Sequence, residues 1–250
     1  MKKHIITGLC LAAGLAVFPR SASADLLTFT GTGINTGLSA TADFTLLNAT
    51  TLRIVLTNTS TSLPSYLSSD AASNQLLTSL AFRLPGTTTI LGGTATISGG
   101  STGPAGNIGK EWGYGWNGSG QCCENTDPTH TYNDWISTLS AGTTQFSPGS
   151  LDNSGLNGPK YGLAPNPGFG SPLTSISNSA TFTLNLSGGI PDLSFLSNGA
   201  VVEFGSDAAF LTGRIPGTPD PRGVPEPSSL LLLGLAAAGW ARHRRTTRGV

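Results

Sequence analysis

Charge is the scarcest ingredient of this 250-residue chain, in which Asp, Glu, Lys and Arg together make up 10%. An ordinary soluble chain carries about a quarter. Histidine and cysteine are just as sparse, at three each. His4 and His243 lie near the two ends, so His130 is the one imidazole of the long stretch between them. A serine or cysteine hydrolase that relies on histidine would have to use that one. The glycine clusters never run into the Gly-Lys-Ser/Thr of a phosphate loop, and no Cys-x-x-Cys spacing suggests a redox centre. Glu124, Asp127, His130 and Asp134 are the one grouping with metal-ligand chemistry, but hard oxygens with a single imidazole suit neither calcium nor zinc well. They read as solvated loop residues, so neither a metal nor a cofactor is expected.

The ends of the chain differ from its middle. Lys2 and Lys3 precede a largely apolar run at 5–18, and Ala22, Ser23 and Ala24 offer the small residues a signal peptidase accepts. This predicts a signal helix within residues 1–24, with cleavage before Asp25. Cys10 falls inside the apolar run rather than after it, which argues against lipidation and removes it with the signal. At the other end, Val224, Pro225, Glu226 and Pro227 precede a segment, 228–241, with no charged residue, and then come Arg242, Arg244, Arg245 and Arg248. The prolines deny residues 224–227 both helix and ladder donors and leave them extended. Leu and Ala favour a helix over 228–241. That stretch is short of the roughly 20 residues of a full bilayer span, yet a buried core helix has no use for the arginines that follow. A membrane helix with a cytoplasmic basic tail at 242–250 is expected.

This order of Pro/Glu motif, apolar helix and basic stop resembles the PEP-CTERM sorting signal of exported Gram-negative proteins. The resemblance implies an exosortase-type processing enzyme as partner, an inner-membrane-anchored intermediate, and delivery to the cell surface or medium. The run 70–85, with alternating Leu80, Phe82 and Leu84, and Val201 to Phe204 before Gly205 are similar to strands met in such proteins. The family carries no agreed catalytic residues to transfer.

Without its ends the chain is acidic. Six basic residues against twelve acidic ones leave residues 25–223 at −6, which is no footprint for nucleic acid. This stretch is long enough for one sizeable core. Leu38, Ala40, Ala42, Phe44 and Leu46 alternate with polar residues and predict a half-buried strand whose other face meets water. A short turn at 48–50 leads into a second strand at 52–57, giving a hairpin. Further strands are expected at 26–30, 80–84, 88–97, 180–186, 201–204 and 210–214, with a short helix at 68–77. The fold class is all-β, a single antiparallel β-sandwich of jelly-roll or immunoglobulin-like kind.

Residues 99–172 break that pattern and read as a long Gly/aromatic-rich loop excursion. Three of the four tryptophans, Trp112, Trp116 and Trp135, lie here with Tyr114. Either these rings fasten the excursion onto the sandwich, or Trp112, Tyr114, Trp116 and Trp135 form a stacking platform for a sugar, with Asn117 and Asn133 binding its hydroxyls. If the segment is extended, 112, 114 and 116 share a face. Cys122 and Cys123 either close a vicinal disulfide or remain thiols. Two functions follow. One is a non-enzymatic surface or matrix protein associated with exopolysaccharide. The other is a secreted carbohydrate-active enzyme or lectin-like domain with its site in 106–136.

Overall fold

The computed structural model describes residues 23–98, 106–116, 132–140, 142–147, 149, 155–165 and 174–216. Residues 1–22 of the predicted signal, Cys122, Cys123, Asn117, His130 and everything from residue 217 onward lie outside them. Alternation builds the sheet. In β2 (Ser39–Asn48) the buried hydrophobic residues are Ala40, Ala42, Phe44 and Leu46; in β3 (Thr51–Asn58) they are Leu52, Ile54 and Leu56. The two strands form the expected antiparallel hairpin, with Phe44 opposite Ile54. Its turn is held by the Asn48 carboxamide oxygen, which accepts from the Thr50 N–H at 2.9 Å. One expectation fails on the outward face: Thr45 is buried rather than wetted, because the Arg53 guanidinium crosses over it and donates to its hydroxyl at 3.1 Å.

The other strands are β1 (Ser23–Thr30), β4 (Leu77–Phe82), β5 (Ile90–Ile97), β6 (Gly113–Trp116), β7 (Asp134–Ser137), β8 (Thr144–Gln145), β9 (Leu163–Ala164), β10 (Ile176–Ser177), β11 (Ser179–Leu186), β12 (Ala200–Phe204) and β13 (Ala209–Arg214). Hydrogen bonding runs unbroken through β5-β11-β3-β2-β1-β13-β12-β4-β7-β6-β8, with β9 attached to β4 and β10 to β9. The chain is all-β as expected, but the strands make one continuous sheet where two packed sheets were anticipated. β1 begins at Ser23, so cleavage before Asp25 would trim its first two residues and keep the pairs from Asp25 opposite Phe44 to Thr30 opposite Ser39.

The sheet curls over on itself. Phe44 on β2 meets Phe82 on β4 edge to face at 5.7 Å, although three strands lie between them along the sheet. Trp112, just ahead of β6, packs on Phe182 of β11 at 4.9 Å. Near the curled ends, the Tyr114 hydroxyl donates to the Leu91 carbonyl on β5 at 3.0 Å, and residues 106–108 pair along the free edge of β5. One large core fills the concave side. A smaller cluster of Ala81, Trp135 and Val201, with Tyr132 and Phe210, covers the convex face of β4, which is why β4 is buried along its whole length.

Two expected elements change character. The helix at 68–77 is a 3-10 segment, Ser65–Asp70, and a single α turn, Ala71–Asn74, after which Leu77 already belongs to β4. The excursion is partly strand: β6, β7, β8 and β9 all fall within 99–172. Glycine and proline shorten two of them: β6 contains Gly113 and Gly115, and β9 is bounded by Gly162 and Pro165.

Candidate functional site

β6 and β7 are antiparallel, with Tyr114 opposite Ile136 and Trp116 opposite Asp134. Side chains two apart on a strand share a face. Tyr114 and Ile136 belong to the main core, so Trp116 and Asp134 continue that same concave face toward its rim. Asp134 is also opposite Phe82, the last residue of β4. From there the connection 83–89 crosses to β5 at the far end of the sheet. A pocket of about 270 Å³ lies between this crossing and the β6–β7 rim. Trp116, Asn133 and Asp134 form one wall, and Arg83, Leu84, Thr87, Thr88 and Thr89 the other.

Asp134 lies on the buried side, 4% exposed, while Trp116 stands at the rim with 37% of its surface in solvent. The Asp134 carboxylate accepts from the Leu84 N–H at 2.9 Å, which ties the crossing to β7. Burial pushes its pKa up from 3.8 to about 6, against the opposing pull of that N–H and of the Arg83 guanidinium. The pocket thus has an aromatic edge, a carboxyl that changes charge near neutral pH, an amide and a row of hydroxyls. That combination offers a stacking surface and charge-assisted hydrogen-bond partners, the contacts that a polyhydroxylated ligand makes.

The four rings expected as one platform separate. Trp112 is fully buried, donates through Nε1 to the Tyr161 carbonyl at 3.0 Å, and is an anchor of the excursion. Tyr114 is 8% exposed and packs on Phe146 at 5.1 Å. Trp135 is 2% exposed and on the opposite face of the sheet, its indole lying over Gly115. A Cβ at Gly115 would overlap that ring, so a glycine is required there. Neither Trp112 nor Trp135 presents a face to a sugar; Trp116 remains at the surface, its ring stacked near Tyr114 at 6.5 Å. The shared face of 112, 114 and 116 holds, but it points mainly inward.

Of the acidic and histidine grouping, Asp134 is described and sits in the pocket; Glu124, Asp127 and His130 lie outside the described residues. Among the described residues no three His, Cys, Asp or Glu side chains come together as a metal site. Sequence reasoning picked out Asn133 but took Asp134 only as a possible ligand, and it missed Arg83 and the threonines. The available signal was the run Gly86-Thr87-Thr88-Thr89, whose last two residues fall in the strand expected at 88–97 but precede β5, which starts at Ile90. The expectation that no serine sits in a Gly-x-Ser-x-Gly spacing needs correction, since Gly99, Ser101 and Gly103 have that spacing, outside the described residues.

Among the described residues no helix is long and apolar enough to cross a membrane; 228–241 is not among them. Comparison with known families finds the PEP-CTERM protein-sorting motif at residues 223–245, which covers Val224, Pro225, Glu226 and Pro227. No curated protein and no solved structure matches the chain.

Proposed function

Taking as premise that the chain carries a PEP-CTERM protein-sorting motif, and with it export and processing by an exosortase, we propose that it is a non-enzymatic surface or matrix protein of a Gram-negative cell that associates with exopolysaccharide. The sorting motif at 223–245 is the observation that carries this reading. Segment 228–241 serves as the membrane anchor of the intermediate, and the arginines from Arg242 hold its end in the cytoplasm. The acidic, sparsely charged middle suits a hydrated matrix and repels nucleic acid. For the non-enzymatic part, the support is chemical: Asp134 is the one carboxylate among the pocket's lining residues, whereas glycoside hydrolysis usually uses a pair of carboxyl groups.

Deleting residues 230–250 tests the anchor. The truncated protein is expected in the periplasm or medium as a soluble species, while the full chain fractionates with membranes before processing. Retention of the truncated protein in membranes would contradict it.

A further inference from the structure

Among the described residues, the pocket at the rim of the curled sheet has a chemistry that neither the sorting motif nor the core explains. Its walls come from distant parts of the chain, 83–89 on one side and 116 with 133–134 on the other, and the curl brings them together. Ligand sites favour such mouths of closed or nearly closed sheets. At about 270 Å³ the space is near the lower bound of small-molecule sites, roughly 300–1,000 Å³. It suits a compact ring better than an extended ligand.

We propose that this pocket holds one sugar ring of a neutral polysaccharide, with Trp116 stacking on the apolar face of the pyranose and Asp134, Asn133 and the Thr87–Thr89 hydroxyls binding its hydroxyl groups. The proposal rests on the matrix-association reading above and assigns it a site. Each part follows from the lining. An indole with 37% of its surface in solvent offers a flat apolar surface at the rim, while its ring stacks near Tyr114. A carboxylate held in place by the Leu84 N–H accepts sugar hydroxyls in charge-assisted bonds, and amide and hydroxyl groups both donate and accept. Arg83 and Thr87 are exposed, so neighbouring sugars of a longer chain can leave the pocket along the rim.

Charge selects against acidic glycans. Arg83 is the one cation among the lining residues and is set against Asp134, so the pocket has no surplus positive charge. The surrounding 25–223 stretch carries −6. A polyuronate would meet repulsion at long range, and the one cation lining the pocket, Arg83, already has Asp134 as its counter-charge.

Affinity electrophoresis of the purified full chain tests this, in a polyoxyethylene detergent because the headgroup of an alkyl glycoside would compete. Gels would contain hydroxyethylcellulose, dextran, galactomannan or polygalacturonate. The expected result is retardation in at least one neutral gel, weakened roughly tenfold or more in Trp116→Ala and largely kept in Trp116→Tyr, with unchanged thermal melting. Should Trp116→Ala melt early, Thr87→Arg decides, since a bulky side chain at the exposed rim blocks the pocket without touching the core. Retardation lost in that variant supports the site, and retardation kept overturns it. Retardation that survives Trp116→Ala in a folded protein overturns the site but leaves matrix association standing. No retardation in any neutral gel, or retardation by polygalacturonate alone, overturns the proposal, while sorting is scored separately by fractionation.

Discussion

Replacing Asp134 with Asn should change how stability depends on pH, and the structure sets the size of the change. In the unfolded chain this carboxyl has its ordinary pKa of 3.8; in the folded protein burial raises it to about 6. Between those values the folded state binds more protons than the unfolded state, so stability falls as pH rises through the window and levels off above it. A difference of roughly two units corresponds to about 3 kcal/mol at 1.36 kcal/mol per unit. Asn keeps an acceptor for the Leu84 N–H but does not titrate. Urea unfolding followed by tryptophan fluorescence, on wild type and variant at matched pH, isolates this group because all other carboxyls cancel in the difference. Wild type should lose up to about 3 kcal/mol relative to Asp134→Asn between about pH 4 and pH 7. A difference that stays flat, or that grows in favour of wild type as pH rises, would refute a buried, desolvated Asp134.

Two further substitutions probe what the rings do. Trp112→Ala should cost about 3–5 kcal/mol in a thermal or urea melt, since it empties a fully buried site and removes the Nε1–H bond to the Tyr161 carbonyl. A near-neutral effect would mean that Trp112 is not the anchor described. Gly115→Ala should cost about 1–3 kcal/mol by forcing Trp135 off its seat, and it should shift the near-UV circular dichroism of that indole.

The half-buried strands were legible because one face of each meets water. The pattern from Leu38 to Leu46 survives in β2, and Phe182, Leu184 and Leu186 in β11 likewise carry core residues at every second position. β4 was placed only in part, at 80–84 instead of Leu77–Phe82, because Trp135 and its neighbours bury its convex side and suppress the alternation. β6 and β7 are four residues each, with Gly113 and Gly115 where side chains would reveal a period. Their pairing with each other and with β4 is a long-range event that no local pattern announces. The same holds for the pocket. Trp116 and Asn133 were visible as surface chemistry, but nothing local places Arg83 and the threonines of 87–89 across from them. That position depends on the curl, which follows from the aromatic contacts between distant strands, Phe44 with Phe82 and Trp112 with Phe182.

The most direct test of the sorting account is the intact mass of the protein recovered from the cell surface or medium, compared with the membrane-bound form and with Glu226→Ala. The account predicts a wild-type surface form that lacks both the signal and the segment following Val224 to Pro227, and a Glu226→Ala protein that stays in the membrane with its tail attached. A wild-type surface form whose mass still includes Val250, or identical masses for wild type and Glu226→Ala, would contradict it.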